Sequence, residues 1–103
     1  MSAQMLTSKE RAYLRSLANT LEPIFQFGKG GISENFIKQI DETLEVRELI
    51  KITVLENADA DVKELAAELC EKARCQSVQI IGRKIVLYRQ AKDKDKRKIV
   101  LPK

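Results

Sequence analysis

Ile24-Phe25-Gln26-Phe27-Gly28-Lys29-Gly30-Gly31-Ile32-Ser33 decides how this chain is read. The short apolar run from Ile24 to Phe27, bounded by Pro23 and Gly28, suits a buried strand. Three glycines in the next four positions allow φ > 0 and remove the side chains that would hold a ligand away from the backbone. Ser33 is a good N-cap, and Phe36, Ile37, Ile40 and Leu44 then recur at helical spacing. Strand, glycine turn and capped helix together present unpaired N–H groups at the positive end of a helix dipole, with Lys29 at the loop tip. The segment has the chemistry of an anion cradle.

Upstream, Thr7 and Glu10 have the spacing of a capping box, and Leu14, Leu17, Ala18 and Leu21 form the apolar stripe of a first helix ending before Pro23. Downstream, Leu49 to Leu55 is rich in β-branched residues and reads as a second strand. Asp61 and Glu64 suggest another capping box, opening a helix with Val62, Leu65, Ala66, Leu69 and Ala73 on one face. Val78-Gln79-Ile80-Ile81, Gly82-Arg83-Lys84 and Ile85-Val86-Leu87-Tyr88 read as a β-hairpin. The order is α-β-α-β-α-β-β, an α/β domain in which two crossovers place parallel strands in one sheet and the hairpin adds an antiparallel partner. Residues 1–91 form this domain. The charge-dense residues 92–103 lack a periodic apolar face and read as a mobile basic tail.

A chain of 103 residues is one domain, and 44% apolar with 33% charged residues fits neither a disordered chain nor a membrane protein. Histidine is absent, which removes the commonest general base and every His-containing zinc site. Cys70 and Cys75 are too few for an all-thiolate zinc site and read as small buried hydrophobes in a reduced compartment. No enzyme activity, metal or cofactor is expected. No secretory leader or membrane span is visible, so a cytosolic, monomeric protein is expected.

The net charge of +4 is unevenly placed. Residues 1–33 carry four basic and two acidic side chains, residues 34–75 six and eleven, residues 76–91 three and none, and the tail six and two. Residues 1–91 are therefore neutral but polarised, which still allows one positive face toward a polyanion. The loop lacks the G-x-x-x-x-G-K-[ST] spacing of a nucleoside triphosphatase, and Ser33 breaks the dinucleotide pattern G-x-G-x-x-G. Gly28-Lys29-Gly30-Gly31 does satisfy the GxxG loop with which KH domains clamp backbone nucleotides. The alternative is a plain strand-to-helix turn. Lys9, Arg11 and Arg15 on the first helix and Arg83-Lys84 in the hairpin are candidate phosphate contacts, each alternatively a solvated surface. Phe27 could stack on a base but is favoured as core. A protein-binding module using the acidic second and third helices is the rival expectation, and a nucleotide-dependent enzyme comes last.

Leu6-Thr7, Tyr13 to Ala18, Leu21-Glu22-Pro23-Ile24, Gly28 to Ile32, Ile40-Asp41-Glu42, Glu48-Leu49-Ile50-Lys51 and above all Gln79-Ile80-Ile81-Gly82-Arg83-Lys84-Ile85-Val86-Leu87-Tyr88-Arg89 resemble the CRM domain (chloroplast RNA splicing and ribosome maturation) in its stand-alone bacterial, YhbY-like form. The resemblance covers about residues 6–89. It implies a four-stranded mixed sheet similar to the C-terminal domain of bacterial translation initiation factor three. It also implies RNA binding through Gly28 to Gly31 and a basic first helix, with ribosomal RNA of large-subunit precursors as partner. Two departures stand out: Ala73-Arg74-Cys75 where a C-cap glycine is expected, and the basic tail.

Overall fold

Thr7 and Glu10 do reciprocate. The Thr7 hydroxyl accepts from the Glu10 N–H at 3.1 Å and the Glu10 carboxylate from the Thr7 N–H at 2.9 Å, which starts α1 (Ser8–Ala18). Ser33 accepts from the Phe36 N–H and opens α2 (Glu34–Arg47). Asp61 opens α3 (Val62–Ala73) by accepting from the Lys63 N–H, a simple cap in place of the reciprocal box its spacing with Glu64 suggested. The strands are β1 (Phe25–Phe27), β2 (Leu49–Val54), β3 (Gln76–Ile81) and β4 (Lys84–Tyr88). The computed structural model describes residues 6–28, 31–58 and 61–102.

The four strands form one mixed sheet in the order β1-β2-β4-β3. β1 and β2 are parallel, and β4 runs antiparallel to both β2 and β3. The hairpin's second strand thus enters between β2 and β3, and the crossover through α3 skips a strand. Burial explains this. Ile85, Val86, Leu87 and Tyr88 are all buried, a run that only a central strand covered on both faces can satisfy, whereas β3 buries Val78 alone and takes the edge.

Alternation along the strands separates two cores. Ile50, Ile52, Val54, Ile85 and Leu87 face Ile40, Leu44, Leu65, Ala66 and Leu69 of α2 and α3. Phe27 joins this core, 5% exposed with its ring centroid 5.6 Å from that of Phe36, so it is a packing residue and not a base platform. Leu49, Val78, Val86 and Tyr88 face Leu14 and Ala18 of α1 on the opposite side. The sheet therefore lies between α1 and the two acidic helices. Both cysteines are free thiols, Cys75 buried and Cys70 half-buried against the larger core.

The carboxyl-terminal segment departs from the mobile tail expected for residues 92–103. The Glu48 carboxylate accepts N–H bonds from Ala91 (2.7 Å), Lys98 (2.7 Å) and Ile99 (2.9 Å), and Glu45 accepts from Lys92 and Asp93. Asp93 caps a 3-10 turn at Lys94–Lys96. Ile99 and Leu101 then pack beside Leu6, Leu17 and Leu21 on the α1 core. The anchors are carboxylates acting on backbone amides, which have no hydrophobic periodicity to betray them.

Candidate nucleic-acid interface

Two candidate segments distant in sequence, the glycine loop at Gly28 and the hairpin tip at Arg83-Lys84, meet at the end of the sheet where β1 and β2 finish. Gly82 has φ +57° at the first loop position of the β3–β4 hairpin, the left-handed turn geometry that glycine permits. Arg83, next to it, folds back so that Nε and Nη2 donate to the carbonyls of Val54 (2.9 Å) and Leu55 (2.6 Å). Its own carbonyl accepts from the Val54 N–H, and the Leu55 N–H bonds the Phe27 carbonyl. Gly28 is packed closely there: a Cβ on it would stand 3.3 Å from Leu55 Cδ1 and 3.4 Å from Asn57 Oδ1. Hairpin tip, end of β2 and start of the glycine loop are thereby one unit, with Lys84 exposed on its surface. Gly31, at φ +77°, closes the loop with nothing within 4 Å of where a Cβ would be, and Lys29 and Gly30 lie outside the described residues.

Arg83 satisfies its donors with neutral carbonyls. Dipoles orient a guanidinium without cancelling its charge, so the tip stays electropositive. Arg11 is used in the same way at the other edge: its Nη1 donates to the carbonyls of Ser77 and Val78, fastening α1 to β3. Arg15, one turn on, is exposed, as is Lys9 near the helix start. The α1 cations do not join the loop directly. Three strand spacings, about 14 Å, separate β3 from β1. The sheet separates charge by sign: α1 carries three cations to one carboxylate on one side, while α2 and α3 carry seven carboxylates to four cations on the other.

At the opposite end of the sheet a cation is cancelled. Arg89 is 9% exposed and forms ion pairs with Asp41 and, at 3.2 Å, with Glu45, while donating also to the Asp41 and Ala73 carbonyls. Glu48 beside it is fully buried at φ +65°. Burial alone would raise its pKa, but the three amides and Arg97 outweigh that and hold it below the ordinary carboxylate range. The amides of Lys92 and Asp93, helped by Arg89, likewise lower Glu45. Sequence reasoning missed this carboxylate notch. The available signal was an acidic residue, Glu48, wedged between an amphipathic helix and the apolar start of a strand.

The chain is similar to known proteins. The solution structure of a Staphylococcus aureus protein whose description proposes RNA binding superposes with a TM-score of 0.75 at 57% identity, over 95% of this chain and all of that one. Probable RNA-binding protein YqeI of Bacillus subtilis is 53% identical over 86% of this chain and 93% of its own length. An RNA-binding protein of Haemophilus influenzae is 33% identical over 95% and 96%. The CRS1 / YhbY (CRM) domain profile matches residues 6–89, from the residue before the α1 cap to the arginine held by Asp41 and Glu45, and the chain belongs to that family.

Proposed function

We propose that this protein binds RNA without altering it covalently, acting as a monomer in the cytoplasm on ribosomal RNA of large-subunit precursors and assisting their assembly. The observation that carries RNA binding is the separation of charge across the sheet. Cations on the α1 side and at the loop end are bonded to carbonyls or exposed, while most helical carboxylates lie behind the sheet on α2 and α3, where Glu45 and Glu48 hold the carboxyl-terminal segment; Glu10 caps α1, and Glu22 and Glu56 are the acidic residues nearest the loop end in sequence. Amides of the Gly28–Gly31 loop and Lys29 would take backbone phosphates, with Lys84, Arg83 and the α1 cations extending the footprint. The names of the relatives support RNA as the ligand. The ribosomal assignment rests on resemblance to the stand-alone bacterial CRM proteins.

Titration of the full chain with a large-subunit ribosomal RNA fragment at increasing salt tests this. Engagement of about four phosphates predicts a log–log slope near −2.8, roughly a 50-fold loss between about 50 and 200 mM salt. Lys29→Glu should weaken binding about tenfold or more. Salt-independent binding, or binding unchanged in that variant, contradicts the proposal.

A further inference from the structure

The register of the sheet places one residue from each strand in a row on the α1 side. Gln26 pairs with Thr53, Thr53 with Lys84, and Lys84 with Ile81. The neighbouring residues Phe25, Ile52, Ile85 and Ile80 belong to the core beneath α2 and α3, so alternation turns this row to the opposite surface. α1 stops short of it: the helix covers Val86, Val78, Leu49 and Tyr88, and none of the four row residues belongs to that cluster. Gln26 and Lys84 are exposed, Thr53 is half-buried, and Ile81 is 55% exposed on an edge strand. Ile24, 40% exposed, and half-buried Lys51 flank the row. Among the described residues neither Lys51 nor Lys84 has an ion-pair partner, and the row contains no carboxylate.

We infer that this strip is the path of an unpaired RNA strand running from the glycine loop across the sheet toward α1. The inference rests on the RNA-binding proposal and adds the class of RNA and its track. The row begins at Gln26, two residues before Gly28, and spans about 14 Å to Ile81 on the β3 edge, three residues along that strand from Val78, whose carbonyl Arg11 holds. It leads from the loop toward the α1 cations without reaching them. Its chemistry is mixed. Lys84 and Lys51 suit phosphates, the Gln26 amide and Thr53 hydroxyl offer neutral donors and acceptors to base edges, and Ile81 and Ile24 offer apolar contact to base faces. A duplex turns its phosphates outward and hides its base edges, and would find only the lysines useful, whereas an unpaired strand uses all three kinds of group.

The test compares the full chain with a mixed-sequence single-stranded RNA of about 12 nucleotides and with the same strand annealed to its complement. The single strand should bind about tenfold or more tightly. Lys84→Glu, Gln26→Glu and Ile81→Ser, all at exposed positions and checked for native circular dichroism, should each weaken single-strand binding at least threefold while leaving duplex binding less affected. Equal affinity for the duplex overturns the inference. So does single-strand affinity unchanged in all three variants while Lys29→Glu lowers it, an outcome that leaves the loop proposal standing. Loss of association with ribosomal particles at unchanged RNA affinity would make the strip a protein contact and also overturn it. Absence of binding to either RNA would remove the RNA-binding proposal itself.

Discussion

Arg83 and Arg89 stand at opposite ends of β4, and the protein treats them differently. Arg89 is buried between Asp41 and Glu45, so its charge is matched and becomes part of the framework. Among the described residues half-buried Arg83 meets the carbonyls of Val54 and Leu55 and no carboxylate, beside Lys84 and Gly28. The carboxylates at the Arg89 end also serve the backbone, since Glu45 and Glu48 hold the amides of the carboxyl-terminal segment. A basic residue in this sequence is thus a candidate RNA contact or a structural brace according to its partner. The chain holds its own tail at one end and presents the hairpin tip and exposed Lys84 at the other.

Removing the carboxylate at the structural end should have the largest effect. Glu48→Ala leaves three tail amides without their acceptor, and should lower stability by about 2–4 kcal/mol in chemical denaturation. It should speed amide exchange at Ala91, Lys98 and Ile99 while changing RNA affinity less than about twofold. Unchanged exchange there would show that the tail is held by something else.

Acid should reproduce that release reversibly. The pKa values of Glu45 and Glu48 are lowered in the folded state, so their contribution is fully present above the ordinary glutamate value of about 4.3 and is lost as pH falls through the lower folded values. Tail resonances in NMR spectra should shift together below that pH, before global unfolding, and Glu48→Gln should remove the part read at Ala91, Lys98 and Ile99, leaving that of Glu45 at Lys92 and Asp93. A transition unchanged in Glu48→Gln would assign it elsewhere.

The functional end is sharpened by Arg83→Lys and Arg83→Ala. Lysine keeps the charge but loses the fork to two carbonyls, so both variants should lose about 1–2 kcal/mol of stability. Only alanine should lose RNA affinity substantially, by roughly threefold or more. Equal loss of affinity in the two would mean that the position of the tip matters and its charge does not.

These arginines also show what the sequence could reveal. Caps at Thr7 and Ser33, the apolar stripes and the hairpin were visible because each leaves a local pattern. The insertion of β4 between β2 and β3 was foreshadowed only by the unbroken run from Ile85 to Tyr88, since strand order depends on which faces other elements cover. Gly28, Arg83 and Lys84 were each singled out, but their meeting depends on hydrogen bonds between Arg83 and residues 28 and 29 positions away. The docking of residues 91–101 was invisible because side-chain carboxylates reaching backbone amides 43 to 51 positions away leave no spacing to read.

The smallest effect concerns Arg74, which stands at φ 54°, ψ 50° at the end of α3, a left-handed conformation where a glycine was expected. Arg74→Gly should raise stability by about 0.5–1 kcal/mol by removing the Cβ clash, without affecting RNA binding. A destabilised variant would show that the arginine side chain makes up for its backbone.

On the proposal above, RNA meets the α1 side and the glycine-loop end of the sheet. Mapping backbone amide shifts of the full chain during titration with a large-subunit ribosomal RNA fragment tests it most directly. Perturbations should concentrate at Gln26 to Gly31, Thr53, Ile81 to Lys84 and the exposed face of α1. Perturbations centred on α2 and α3, with the loop and hairpin tip silent, would contradict the account.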